Sequence, residues 1–458
     1  MNRILNTKFV EALIVTVIAG NFIYNLSTNN FQLSYFDINS FIFSVFIFFL
    51  LFFIGSAINN MLGLNSISLS IILYLISFFA FQFFFLFYQV KDFNFNSSFI
   101  LVNLIWLTSI IISKNKIAIL NSVYTIVIFI FIYFVRDFFG KDLIKNISKN
   151  GDVDYFWFPM TKMIYENNLH YALLNNIEPG YGLLINNTFA VLTKLVSNSA
   201  NFNYLPSIVN VFAFIFILFV LEQKFRNVSK VITITLFASI VFNSSWLSYL
   251  FINSLMGEAV INLFFPIALI SLSNNDFKDK KIKYFSYFLI GFLYLSKPFV
   301  SILILIFIAF VALKKRDLGS IFFGFTAFAL NFINYKFVIN IENSNNYFSF
   351  NEFYVLGNIE KLGFDNIIKI LQNIFYLDRV MILFLTLIIF FIISSFYITK
   401  KIPNIEYLFI LTINIFLVFI LYITIWQDRE LESAYRYIFS FFNLYLIYFA
   451  ILRDKLNS

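Results

Sequence analysis

Apolar runs of roughly 15 to 22 residues recur along almost the whole chain, separated by short polar turns, and this spacing leaves few folds open. A run of that length matches the hydrocarbon core of a bilayer when wound as a helix. Strands of a membrane barrel would instead alternate polar and apolar residues over about ten. Composition closes the soluble alternative: 60% of the 458 residues are hydrophobic and only 12% are charged, too few to cover a water-exposed globule. The pattern predicts an all-α polytopic membrane protein of about 13–15 transmembrane helices, with outer-face loops and juxtamembrane helices.

Several chemistries are excluded at once. The chain has no cysteine, hence no disulfide, iron–sulfur cluster or thiol nucleophile, and its single His170 excludes His-based zinc sites. The 69 phenylalanines accompany an excess of Ile and Asn, so they read as lipid-facing and core filling rather than as a ligand box. The net charge of +8 is no nucleic-acid signature, because Lys and Arg stand at the ends of apolar runs, where they fix topology.

Spans are expected at about 9–25, 39–59, 67–89, 98–113, 117–135, 206–221, 230–247, 258–273, 284–296, 298–313, 319–335, 380–398, 405–425 and 437–452. Arg3 and Lys8 precede the first, which reads as an uncleaved signal anchor with a cytoplasmic N-terminus. Basic clusters at Lys114 and Lys116, Lys224 to Lys230, Lys278 to Lys283, Lys314 to Arg316, Lys400 and Lys401, and Arg453 and Lys455 then mark the inner connections. Parity puts 136–205, Ser254 to Glu258, the Lys297-Pro298 hairpin, 336–378 and Trp426 to Arg436 on the outer face. With both flanks outside, the apolar stretch 181–196 cannot span and is expected to lie in the interface or re-enter partway. The chain thus divides into N-terminal helices (1–135), an outer loop with juxtamembrane helices (136–205), and a remaining bundle (206–458) carrying the outer loop 336–378.

The outer loops hold the chemistry-bearing residues. Asp152 and Asp154, in Gly151-Asp152-Val153-Asp154-Tyr155-Phe156-Trp157-Phe158-Pro159, are carboxylates beside aromatic rings, a setting that suits accepting a proton from a hydroxyl. Solvated loop acids or helix caps are the structural alternative. Glu258 opens an apolar span, either as a first-turn acid or as a holder of an acceptor or cation. Lys297 interrupts a 30-residue apolar run, where an ammonium snorkels to headgroups or holds a phosphate. Arg436 leads into the last span and is suited to a bidentate lipid phosphate or to an aromatic belt with Tyr435 and Tyr437.

In order along the chain, these elements resemble the GT-C superfamily of membrane glycosyltransferases, the type that includes protein O-mannosyltransferases and aminoarabinose transferases. Asp152 with Phe156, Trp157, Pro159 and Lys162 is similar to the acidic–aromatic motif of the family's first outer loop. Glu178-Pro179-Gly180-Tyr181-Gly182-Leu183-Leu184 is similar to its Tyr-Pro-Pro-Leu segment, with one proline in place of two. Met256-Gly257-Glu258, Leu295-Ser296-Lys297-Pro298 and Ser433-Ala434-Tyr435-Arg436-Tyr437 resemble the later acid, Ser/Thr-Lys and Arg-Tyr elements.

The resemblance implies an inverting transferase in a bacterial inner membrane, using a polyprenyl-phosphate-sugar donor at the periplasmic or exterior face and a lipid, glycan or protein acceptor. It implies Asp152 as general base and Asp154 and Glu258 shaping an acceptor or cation site. Lys297 and Arg436 would neutralise the departing lipid phosphate, and Trp157 and Tyr181 would line the substrate site. Two or three of these acids suffice to hold a divalent cation, although no spacing demands one. An O-antigen polymerase or ligase and a lipid-linked sugar flippase or transporter are the rival readings.

Overall fold

A computed structural model of the chain describes most of residues 38–88, 93–140, 153–177, 182–197, 205–222, 230–243, 257–273, 291–297, 379–402, 404–421 and 437–457, with isolated positions between them. The expected spans at 9–25, 284–296, 298–313 and 319–335 fall wholly or largely outside the described residues, as does the 336–378 loop. The described residues are all-helical, and the protein is an α-helical membrane protein. Among the described residues four helices are long and apolar enough to cross a bilayer: α1 (Ile38–Leu62), α2 (Ile67–Phe87), α3 (Phe95–Ile112) and α4 (Lys116–Gly140).

Each of these helices after α1 starts where a small polar side chain replaces the missing backbone acceptor. Ser66 Oγ accepts from Leu69 N before α2 and Asn94 Oδ1 from Asn96 N before α3, while Asn115 Oδ1 accepts from Ile117 N and Ala118 N at the start of α4. At the end of α1, Gly63 takes a positive φ of 66°, the left-handed conformation that closes a helix, and its N–H returns to Asn59 O.

The chain divides into two compact units. The larger comprises Tyr35–Glu222 and Leu250–Phe348. In it α2 is central, with 72% of its span buried, whereas only 11% of the α4 span is buried, so α4 presents its surface to lipid. Gly55 lets α1 and α2 approach, because a β-carbon there would collide with Ile71. Tyr74 and Trp106 fasten the α2–α3 hairpin: Tyr74 OH donates to Asn103 Oδ1 at 2.9 Å and Trp106 Nε1 to Ser77 Oγ at 3.0 Å.

After α4 come a π-type turn (Val153–Trp157), α5 (Phe158–Glu166), α6 (Leu169–Leu174), α7 (Leu184–Val196), α8 (Leu205–Leu221) and α10 (Gly257–Ser273). The segment expected to re-enter is α7. Its 13 residues rise only about 20 Å, against about 30 Å of hydrocarbon. All but Lys194 are buried, and α2, α4, α5 and α8 pack around it. It therefore sits inside the unit rather than lying flat on an interface.

Three connections expected on one side do share one end of this unit. Asn115 Nδ2 donates to Asn60 O, which brings the α3–α4 turn to the end of α1. Glu222, just past α8, accepts from Ser66 Oγ and Ser68 N, both at 2.8 Å, and so caps α2 from another helix. Burial holds the Glu222 carboxyl above the ordinary carboxylate range despite those hydrogen bonds. A carboxyl whose folded pKa is raised contributes stability below its unfolded pKa and loses it as pH rises through the folded value. Glu222→Gln is therefore expected to flatten the dependence of melting temperature on pH above the ordinary carboxylate range. Glu222→Ala, which removes the cap, should cost about 1 kcal/mol. Thermal unfolding of the two purified variants over a pH series checks both.

The smaller unit comprises Met1–Ser34, Gln223–Tyr249 and Ser349–Ser458. In it α9 (Lys230–Asn243), α11 (Arg379–Thr399) and α12 (Ile405–Leu421) pack on α13 (Phe442–Asn457). Aromatic edges fill the contacts: Phe384 meets Phe442 and Phe449, and Tyr407 meets Tyr448.

Candidate functional site

Three of the seven sequence-predicted site residues converge inside the larger unit. Glu258 stands in the first turn of α10, where the helix dipole favours an acid. Its Oε1 lies 2.7 Å from Lys297 Nζ, and both side chains are buried, at 0% and 3% exposure. The ammonium also stands 5.1 Å from the centre of the Trp157 ring, within cation–π range. Lys297 thus neither snorkels nor faces open solvent. Its positive charge is balanced by the acid, and the cation that Glu258 holds is the lysine.

Local structure explains why these groups meet. In the turn before α5, Val153, Phe156 and Trp157 are buried while Asp154 and Tyr155 are exposed. Phe156 packs edge-on to Trp157 at 4.9 Å, and the Trp157 carbonyl accepts from Thr161 Oγ1 and Asn186 Nδ2. The indole then reaches Gly257, where a β-carbon would come within 2.5 Å of its Cη2. Gly257 is therefore the reason α10 can bring Glu258 this close to the ring.

A second backbone approach fixes Lys297. Leu184 N–H donates to Leu295 O at 3.0 Å, and a β-carbon on Gly182 would lie 2.5 Å from Leu295 Cα. Between them Leu183 takes φ 60°, a left-handed conformation that a leucine adopts only under constraint. The 293–296 turn, closed by Leu295 N–H to Phe292 O and Ser296 N–H to Leu293 O, is thereby pinned to the start of α7. The first turns of α5, α7 and α10 all lie beside the Lys297–Glu258 pair.

Asp154 is exposed, three residues before the buried Trp157. Lys162, the basic position of the acidic–aromatic motif, is also exposed, with Glu166 at 3.7 Å. Asp152, Tyr181 and Arg436 lie outside the described residues. Among the described residues no three His, Asp or Glu side chains gather as a metal site.

Sequence reasoning missed two asparagines. Asn186 and Asn187 are fully buried on α7, and Asn186 Oδ1 and both side-chain polar atoms of Asn187 have no hydrogen-bond partner among the described residues. A buried amide left unmet costs roughly 1–3 kcal/mol, so a position that keeps one invites a hydrogen-bonding ligand. The signal was present, since two adjacent amides interrupt an apolar segment, but Asn is common throughout this chain.

Tyr165 anchors the far end of α7. Its hydroxyl donates to Ser197 O at 2.9 Å, and burial pushes its pKa up to about 12 against the opposing charge of Arg136, so it stays a donor at any physiological pH.

No protein-family model, curated protein or solved structure matches this chain.

Proposed function

We propose that this protein is a membrane glycosyltransferase of the GT-C type, which moves a sugar from a polyprenyl-phosphate carrier to a lipid, glycan or protein acceptor at the outer face of a bacterial inner membrane. One observation carries the reading. Trp157, Glu258 and Lys297, chosen from three separate segments for their chemistry, form one buried cluster. A phosphate leaving group already departs readily, so the tasks left to the protein are charge stabilisation and deprotonation of the acceptor.

Lys297 suits the first task. An arriving lipid phosphate competes with Glu258 for the ammonium, and the carboxylate so released becomes available to the acceptor. The unmet amides of Asn186 and Asn187 support a site for a hydroxyl-rich ligand. By the resemblance alone, Asp152 is the proposed base, with Asp154 beside it in sequence, and Tyr181 and Arg436 are the proposed contacts to substrate and lipid phosphate.

The fully buried ion pair also favours a second reading, a lipid-linked sugar flippase or transporter, because paired charges within a membrane protein mark substrate paths. One assay separates the two. Membranes carrying the protein are given a polyprenyl-phosphate donor with labelled sugar, and transfer into glycan is compared between wild type and Asp152→Asn at equal protein level. Transfer lost in the variant is the expected result. Equal transfer by both would remove Asp152 as the base, and no transfer by wild type, with labelled carrier crossing sealed vesicles, would favour the transporter.

A further inference from the structure

Away from the ion pair, the larger unit holds a cavity of about 370 Å³ between α1, α3 and α4, with Leu195 of α7 and Tyr74 of α2 on its wall. Along α3 its lining runs from Phe99 to Ile110, a rise of about 16 Å, so the space is a slot rather than a sphere. Its polar groups are already engaged. Tyr74 OH donates to Asn103 Oδ1, Trp106 Nε1 to Ser77 Oγ, Ser122 Oγ to Ala118 O and Thr125 Oγ1 to Asn121 O. What remains is hydrocarbon wall, and a dry apolar slot takes an apolar occupant.

The slot opens sideways. Ile100, Leu104 and Ile126 line it yet are 58%, 48% and 50% exposed, on helices whose outer surfaces face lipid. At that depth the available apolar solute is the hydrocarbon of the bilayer itself.

One end of the slot carries charge. Four residues beyond Ile110, about 6 Å along the helix, the α3–α4 turn presents Lys114 and Lys116, both exposed. The turn is rigid: Lys114 sits at φ 54°, its N–H returns to Ile111 O, and Asn115 caps α4 while donating to Asn60 O of α1. Two ammonium groups on a fixed turn beside a chain-shaped slot match a lipid with an anionic headgroup.

We propose that this slot is a binding site for an anionic phospholipid of the leaflet on the α3–α4 turn side, with one acyl chain between α1, α3 and α4 and its phosphate at Lys114 and Lys116. The site is built from residues outside the Trp157–Glu258–Lys297 cluster and stands independently of the transferase reading. Holding one chain there fills the space that α1, α3 and α4 leave between them.

Trp106 lines the slot and reports on it. The full chain is reconstituted in phosphatidylcholine vesicles containing phosphatidylglycerol or phosphatidylcholine with brominated chains at equal mole fraction. The Trp106 signal is the difference in fluorescence between wild type and Trp106→Phe, since the chain has four tryptophans. Brominated phosphatidylglycerol is expected to quench it at a roughly tenfold lower mole fraction, the order of preference that two surface lysines supply. The joint variant Lys114→Gln with Lys116→Gln should lose that preference, and Thr125→Phe should weaken quenching by both lipids. Equal quenching by the two lipids in wild type, or a preference that survives loss of the lysines, overturns the site. Because both lysines are exposed, their variant decides even if Thr125→Phe does not fold.

Discussion

Lys297→Ala is expected to destabilise the protein by about 3–5 kcal/mol, because it strands the Glu258 carboxylate, 0% exposed, without its partner. Glu258→Ala should cost a similar amount by stranding the ammonium, partly relieved by the neighbouring indole. The pair as a whole is another matter. Two charges removed from water recover little net energy from each other, so replacing both with Leu and Met is expected to restore near-wild-type stability. A double-mutant cycle closed with Glu258→Leu, Lys297→Met and the two together, read by thermal unfolding in detergent, is therefore expected to show a coupling of several kcal/mol. The same double variant also separates structure from chemistry. Restored stability with lost sugar transfer identifies the pair as working residues, whereas restored stability with full transfer reduces it to a fastening between α10 and the 293–297 turn.

The reach of sequence reasoning follows the physics of each feature. Helices α1 to α4 lie within a few residues of the expected 39–59, 67–89, 98–113 and 117–135, because a bilayer makes hydropathy decisive and a polar cap starts each helix after α1. Glu258 and Lys297 were legible for a related reason. A charge beside or within an apolar run needs a helix end, a headgroup, a phosphate or a counter-ion, so each stood out from its surroundings. That the partner of each is the other, 39 residues away, depends on how α10 and the 293–297 turn pack, which no local pattern encodes. The burial of α7 was equally hidden. A 13-residue apolar stretch reads the same whether it lies on an interface or is enclosed by α2, α4, α5 and α8. The two Asn side chains within it become conspicuous only once that enclosure leaves their amides unmet.

The glycines were the least legible part of the site, and they separate by what an added β-carbon would strike. At Gly182 the obstruction is backbone: Leu295 Cα, O and C would lie 2.5, 2.6 and 2.8 Å away. Nothing there is the end of a flexible side chain, so Gly182→Ala has to push the start of α7 away from the 293–297 turn. The hydrogen bond from Leu184 N–H to Leu295 O is then lost, and with it the support that holds Lys297 against Glu258. A lost buried backbone bond together with overpacking is expected to cost about 2–5 kcal/mol, seen as a large fall in melting temperature. At Gly257 the obstruction is the Trp157 Cη2 at 2.5 Å and the Ile185 Cδ1 at 2.9 Å. Ile185 can rotate and the indole can tilt, so Gly257→Ala should cost about 1–3 kcal/mol. Tilting the indole moves it relative to the ammonium, which makes Gly257→Ala the more informative variant for activity. It should reduce the proposed sugar transfer out of proportion to its loss of stability, whereas Gly182→Ala should lower the two together. Measuring melting temperature and transfer on the same preparations tests the distinction. A Gly182→Ala protein as stable as wild type would mean that the close approach to Leu295 does not hold the turn in place.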